Sequence, residues 1–519
     1  MGSLSLHSLV IKGPAVKANG ALRAAGVKAA ARRGRASRGA WTLASTGLHF
    51  TAAGPTLNSW KRCIHFGEEP KRRSHGRVSP APLKEHPTGF LGAWADMVGA
   101  DWVPAPLRRR GRKPRVSINQ LLQGLTFHVT QGAGTLAEHF FALFEEPLAD
   151  SSWSDRRARL PWEVFADLMR RALRPIATRR HRDSFWRGWR LLALDGTQYS
   201  VTNTPQLTAT TTKAKTRRGR AAFAKITVNV LLELGLHNPL AAGIGRHGES
   251  EWELARRLLA QLPKRVLLLG DRLYGVPAFL VHAVAACQWV GSHCRCVFRV
   301  PRHLTRQVRR RLPDGSRRIR VAVREKGRPA HLVQWLELRE IRVHVGRPGA
   351  RAHELRLWTS LLSPRTAPAR ELAQLYATRW EHELYFRETK RILRQTDVLQ
   401  SHTLVTAAQE LAAIVLATAM LARERVRTAA GQVPVLRVKF GVLLAVVQST
   451  WFYLGPCEDL LTARQKQQIV QRGQALMRRC VTAKRRSRTN PRAVRQPVRK
   501  WPRLMQTHSV EGPLRLTVV

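Results

Sequence analysis

The sequence predicts an α/β fold: a mixed sheet flanked by helices, with a helical segment before it and a β-rich segment inserted late. Three observations carry this. Two apolar runs, Leu191-Leu192-Ala193-Leu194-Asp195 and Val266-Leu267-Leu268-Leu269-Gly270-Asp271, each end in an aspartate. Continuous apolar runs of that length are typical of strands buried on both faces. Residues 301–358 alternate basic and apolar with period two, which predicts strands with one basic face. Residues 367–393 repeat with helical period instead.

Composition bounds the function. The 519 residues leave room for two or three domains, and 44% apolar content is enough for a sizeable core. Lys and Arg number 89 against 34 Asp and Glu, a net charge of +55. Such a chain repels itself unless it meets a polyanion, so nucleic acid is the first candidate partner and an anionic membrane surface the second. No run reaches the ~18 apolar residues of a spanning helix. The longest, 412–422, predicts a buried helix, so no membrane role is expected. Six cysteines in so long a chain make no disulfide framework and fit a reducing, cytoplasmic setting. Cys294 and Cys296 beside His293 have the wrong spacing for a zinc knuckle and predict structural thiols.

In chain order, residues 1–96 look unlike a folded domain, with no Asp or Glu before Glu68. Two readings stand: an Arg-rich transit peptide, or translated upstream sequence with Met97 as the true start. Both predict disorder over 1–96. The basic run at 108–115 suits either an A·T-rich minor groove or a solvated linker. Residues 97–185 are helical, with Ser117, Thr135, Asp150 or Ser151, and Pro161 as starts. Arg156, Arg157 and Arg159 suit a helical DNA-binding domain; a helical cap on the main domain suits the same pattern equally well. The main domain, 186–455, begins with a strand ending at Asp195, then strands at 224–234 and 239–244. A helix at 251–262, the strand ending at Asp271, a helix at 276–288 and a strand at 290–300 follow. After the insertion at 301–358 and the helix at 367–393 come apolar helices at 406–425 and 438–453. Residues 456–519 form a basic tail, without Asp or Glu between Asp459 and Glu511, suited to touching DNA without sequence preference.

The helix at 367–393 is the informative one. Tyr376, Arg379, Glu383 and Lys390 fall within roughly 60° of arc at 3.6 residues per turn, and Arg387 joins them. One carboxylate flanked by cations and a phenol suits a metal ligand among phosphate contacts; a solvated face laced with ion pairs has the same pattern. The two aspartate-ended strands weigh on that choice. In an α/β sheet, central strands deliver such carboxylates side by side at one end. Three acids bind two hard divalent cations through oxygen, Mg²⁺ or Mn²⁺, and two such ions serve in-line phosphoryl displacement.

The Tyr-(2)-Arg-(3)-Glu-(6)-Lys spacing of Tyr376, Arg379, Glu383 and Lys390 resembles the signature of IS4-family insertion-sequence transposases at all four positions. Asp195-Gly196-Thr197 and Gly270-Asp271-Arg272-Leu273-Tyr274 look like that family's first two acidic motifs, and the β-rich insertion before the glutamate is its habit. The resemblance runs from about 116 to 503. It implies a ribonuclease-H-like core of the DDE type, with Asp195, Asp271 and Glu383 as catalytic, metal-binding acids. It implies phosphate contacts from Tyr376, Arg379 and Lys390, with further DNA contacts expected at Arg387 and Arg272. Trp380 is a DNA wedge or a core tryptophan, and Trp358 or Trp335 a candidate to receive a flipped base. The implied activity is cut-and-paste transposition on double-stranded DNA, at terminal inverted repeats and target, by a homodimer on paired ends in the bacterial cytoplasm, nucleoid-associated. Rival readings are a relative that only binds DNA, a nuclease of the same fold that does not join strands, and a basic RNA-binding protein; the last gives the paired aspartate strands no purpose.

Overall fold

The computed structural model describes residues 89–104, 115–211, 213, 215–216, 219–289, 294–325, 328–346, 353–396, 398–455, 457, 459–483 and 515–518. The expectations for 1–88, for most of the basic run at 108–115, for His293 and for most of the tail beyond 483 lie outside the described residues.

Five helices come first: α1 Gly89–Val98, α2 Ile118–Thr130, α3 Leu136–Phe144, α4 Asp150–Ala158 and α5 Trp162–Ala172. The main region follows as β1 Trp189–Ser200, β2 Lys225–Glu233, β3 Asn238–Ile244, α6 Glu251–Leu258, β4 Val266–Gly270, α7 Pro277–Trp289 and β5 Arg295–Arg299. The insertion supplies β6 Gln307–Arg311, β7 Arg317–Glu325, β8 Arg328–Gly346 and β9 His353–Thr359. A helical run then passes through α8 Ala369–Tyr376, a 3-10 turn Ala377–Trp380, α9 Glu381–Arg387 and a π turn Glu388–Leu393. The chain continues with α10 Leu404–Ala429, α11 Phe440–Leu454, α12 Ala463–Arg479 and β10 Arg515–Val518.

One sheet organises these elements. Its order is β3-β2-β1-β4-β5-β9-β8-β7-β6, with β10 added on β8. Within it, β1, β2 and β3 are an antiparallel meander, and β4 and β5 run parallel to β1. That 3-2-1-4-5 order is the ribonuclease-H-like arrangement. The insertion makes no separate sheet: β9 pairs antiparallel with β5 and carries the core sheet outward. Strand parity explains the two faces. Leu191 and Ala193 of β1 join the apolar cluster under the helices, while Leu192 and Leu194 join the cluster under α6 and α7.

Three boundaries differ from expectation. The described residues begin at Gly89 with α1, so the expected division between 96 and 97 falls inside that helix. Phe90, Ala93, Trp94, Met97 and Val98 lie on one buried face at helical spacing, a pattern too short to stand out in so basic a stretch. Residues 463–479 form α12 rather than a loose tail; Thr462 and Gln465 make a capping box, and Gln474 and Met477 are buried. The helices α2 to α5 are a cap, not a free module. They share one apolar core with the main domain, and Arg157, expected to face DNA, is buried with bonds to Ser401 Oγ at 3.0 Å and Thr406 O at 2.7 Å.

At 26 residues α10 is, by length and composition alone, long and apolar enough to cross a membrane, which the shorter predicted run was not. Here it is mostly buried as the central core helix, with Arg423 and Arg425 inside. Arg425 Nη1 meets Glu388 Oε1 at 3.1 Å, and His237 Nδ1 meets Glu388 Oε2 at 2.6 Å. Burial opposes the Glu388 charge, but His237 and Arg425 outweigh it and hold the carboxyl down at about 2. The folded state therefore binds this proton more weakly than the unfolded chain. Its stabilisation is complete above the ordinary carboxylate pKa and is lost as pH falls from about 4.5 toward 2. Glu388→Gln strands Arg425, so thermal melts at pH 7 should show a loss of about 3–5 kcal/mol. The gap from wild type should narrow below pH 4.

Candidate active site

Two parallel strands deliver the first two acids. Leu194 of β1 lies opposite Gly270 of β4, so the next residues, Asp195 and Asp271, stand at adjacent positions one strand spacing (about 4.8 Å) apart. The row continues onto β5, where Phe298 lies opposite Gly270 and the exposed Arg299 follows beside Asp271. Gly270 is obligatory, because a Cβ there would enter the Phe298 ring.

The helical run lays its charged stripe across these strand ends. Arg379 Nη1 donates to Asp195 Oδ2 at 3.2 Å, and its Nη2 donates to Glu383 Oε1 at 2.8 Å. Lys390 Nζ donates to Thr197 Oγ1 and to Gln198 O, each at 2.6 Å, and lies 4.7 Å from the Tyr199 ring centroid. The three predicted acids, the arginine and the lysine thus share one mouth at the end of β1 and β4.

The residues of the acid triad fit hard divalent cations. Every donor is a carboxylate oxygen, the chemistry of Mg²⁺ and Mn²⁺ sites. Among the described residues no three acidic, His or Cys side chains converge into a ready-made cage; the Arg379 guanidinium stands between Asp195 and Glu383. Burial also works against the first of these carboxylates. Burial pushes the Asp195 carboxyl up to about 7, against Arg379 and the Gly196 N–H, and the neighbouring Asp271 and Glu251 push it further.

Two predicted residues, Tyr376 and Trp358, sit differently from expectation. Tyr376 lies beneath the mouth, 7% exposed, and its hydroxyl donates to Gly270 O at 3.1 Å, so it braces the strand that carries Asp271 rather than meeting phosphate. Trp358 is fully buried, with Nε1 on Glu340 Oε2 at 3.2 Å, which removes it as a pocket for a flipped base. Trp335 is half-buried with Arg320 over its ring. Trp380, by contrast, is 53% exposed and not core. Arg272 and Arg387 are exposed, and the Arg272 N–H donates to Asp271 Oδ1 at 2.5 Å.

Sequence reasoning missed two groups. Arg299 was hidden because only the strand register places it beside Asp271. Glu251 begins α6 and reaches the strand from which Asp195 projects; its only signal was the glycine after Asp195.

The Asp195 shift has a consequence for the metal-free protein. Between 3.8 and about 7 the folded chain keeps a proton that the unfolded chain releases, so stability falls as pH rises through that window. Asp195→Asn should melt above wild type at pH 8 without divalent metal, by roughly 1–3 kcal/mol. The two should converge toward pH 4.

Comparison with known proteins fits this geometry. Residues 186–420 match the family model for the transposase DDE domain. The chain is 26% identical over 245 residues to the transposase InsG for insertion sequence element IS4 of Escherichia coli (strain K12), covering 47% of this chain and 54% of that one. It is 29% identical over 128 residues to the putative transposase InsZ of the same strain, covering 24% of this chain and 43% of that one. The chain therefore spans about half the length of the curated relatives it matches. Among solved structures, a piggyBac transposase synaptic complex with hairpin DNA is similar at 8% identity and a TM-score of 0.34, over 75% of this chain and 81% of that one; the fold class rests on the strand order above. Asp195, Asp271 and Glu383 all lie inside the matched segment, so residues 186–420 carry a transposase DDE domain similar to that of an IS4-element transposase.

Proposed function

We propose that the chain cuts DNA at the terminal inverted repeats of an insertion sequence and joins the freed ends to target DNA. The observation that carries this is the arginine-bridged mouth, with Asp195 beside Asp271 in register and Arg379 tying Asp195 to Glu383. Asp195, Asp271 and Glu383 would hold two divalent cations, Mg²⁺ or Mn²⁺. Bound there, these supply the charge that activates water and stabilises the leaving oxygen of an in-line displacement.

The remaining roles belong to the chain's own side chains. Arg379 is 11% exposed at its side chain and can exchange a carboxylate partner for a phosphate oxygen. Lys390 sits at the same mouth on β1. The exposed Arg272, Arg299 and Arg387 add cations along a DNA backbone, and the exposed Trp380 ring offers a surface for a base. Water attacks the phosphorus at the element's end, and the element's 3′-oxygen leaves as a hydroxyl. That hydroxyl attacks a target phosphodiester, and the target's own 3′-oxygen leaves. Bonds broken and formed balance at each step, so no external energy source is required. Tyr376 is no nucleophile: burial pushes its phenol up, and its proton is committed to Gly270 O.

Two ends must be held for joining, so a homodimer on paired ends in the bacterial cytoplasm, associated with the nucleoid, completes the reading. The net charge of +55 supports double-stranded DNA as the partner. Glu383→Ala and Asp271→Asn should lower cleavage of terminal-repeat DNA by at least about a hundredfold, while gel-shift affinity stays within a few-fold. Cutting at the wild-type rate by either variant would refute the assignment. Products that stop at cleavage, with no strand transfer to a target plasmid, would make the protein a nuclease instead.

A further inference from the structure

We infer that Glu251 is a fourth acidic group of this centre, a positioning residue that acts on divalent-cation binding from the opposite face of the sheet, through Gly196. The inference rests on the metal-site reading above and adds to it a residue outside the triad and outside both aspartate motifs.

Three observations converge on it. Gly196 directly follows Asp195, and its missing side chain is where Glu251 lies: a Cβ at Gly196 would fall among Cγ, Cδ and Oε1 of Glu251. The carboxylate is therefore laid against the peptide that carries Asp195. Next, the carboxylate is held there. Tyr274 Oη donates to Glu251 Oε1 at 2.6 Å, and Asn229 Nδ2 donates to Tyr274 Oη at 2.8 Å and to the Glu251 carbonyl at 3.2 Å. Tyr274 and Asn229 are both fully buried, and Asn229 is the residue paired with Gly196 across β1 and β2. Finally, Asn229 Oδ1 is buried without a hydrogen-bond partner among the described residues, so the residue that supports Tyr274 also keeps an unused acceptor.

A buried chain of this kind is costly to assemble unless every member has a job. A solvated surface glutamate at a helix start needs only its cap. Here Ser250 and Glu253 already cap α6, so Glu251 is not needed for that purpose. Gly196 and Tyr274 both stand inside the aspartate motifs. Their role becomes plain: one leaves room for Glu251 and the other grips it. The negative field of Glu251 adds to that of Asp195 and Asp271, and its contact with Gly196 fixes the backbone from which Asp195 projects.

The test is calorimetric titration of the full chain with MnCl₂, without DNA, beside cleavage of terminal-repeat DNA over a range of Mn²⁺ concentrations. Glu251→Gln keeps an acceptor for Tyr274 but removes the charge; Tyr274→Phe keeps the charge but removes the grip. Glu251→Gln should weaken Mn²⁺ binding roughly ten- to a hundredfold, as lost outer partners of metal sites do, with a melting temperature near wild type. Tyr274→Phe should shift binding in the same direction by less. Excess Mn²⁺ should restore cleavage to Glu251→Gln, which a merely structural defect would not allow. The inference is overturned if Glu251→Gln binds Mn²⁺ like wild type while Asp195→Asn has lost binding. If Asp195→Asn also binds like wild type, the metal-site reading itself falls, and this inference with it.

Discussion

The pairing of β1 with β4 is the constraint on which the site depends. Parallel pairing puts equivalent ends of two chain segments on one side of the sheet, and the register places Asp195 level with Asp271. Carboxylates so close repel, and a half-buried mouth screens them poorly. The fold answers with Arg379, whose two terminal nitrogens bond to Asp195 and Glu383. The guanidinium thus does for two of the acids what the proposed divalent cations would do for all three. Its placement needs the helical run to cross the strand ends, which in turn needs α10 beneath it.

Buried ion pairs make that crossing rigid. Glu388, one turn beyond Glu383, is fastened to Arg425 of α10 and to His237, which follows β2. Glu381 Oε2 accepts from the Gly235 N–H at 2.6 Å in the same β2–β3 connection. The glutamate that faces the mouth therefore lies between two that face the core. On the far side, Glu340 of β8 is fully buried between Arg306 and Arg356 and also takes the Trp358 indole. That network holds the insertion's own strands together, and the pairing of β9 with β5 joins them to the core sheet. Buried pairs of this sort add little net stability, but losing one partner is expensive, and that asymmetry enforces a single arrangement.

Much of this was legible in the sequence because burial leaves a strong mark. The runs ending at Asp195 and Asp271 are apolar on both faces, and only a central strand of a covered sheet needs that. The period-two stretch at 301–358 likewise announced strands, four of which are observed. Other features left weak marks for physical reasons. The buried face of α1 has only ten residues in which to repeat. The helix α12 is so basic that its few apolar contacts are outnumbered, and composition alone resembled a solvated tail. Trp358 was ambiguous because strand parity decides between core and surface, and parity follows from a register that sequence does not state. Glu251 was invisible because its importance comes from the absence of a side chain at Gly196, fifty-five positions earlier.

The misplacement of Tyr376 has a more instructive cause. A uniform helix of 3.6 residues per turn puts Tyr376, Arg379, Glu383 and Lys390 on one stripe. The real run is not uniform. Residues 377–380 form a 3-10 turn, in which three residues complete a full turn, so Arg379 lies directly over Tyr376. Each residue there is overwound by about 20° relative to an α-helix, so the two side chains stack: the phenol below meets Gly270 O, and the guanidinium above it reaches the carboxylates. The π turn at 388–393, where the Arg394 N–H reaches back five residues to Thr389 O at 3.2 Å, winds in the opposite sense. Within that turn Lys390 reaches Thr197 and Gln198, two and three residues beyond Asp195. The signature's residues therefore meet at one mouth without lying on one uniform helical stripe, which is why the spacing alone misplaced the phenol.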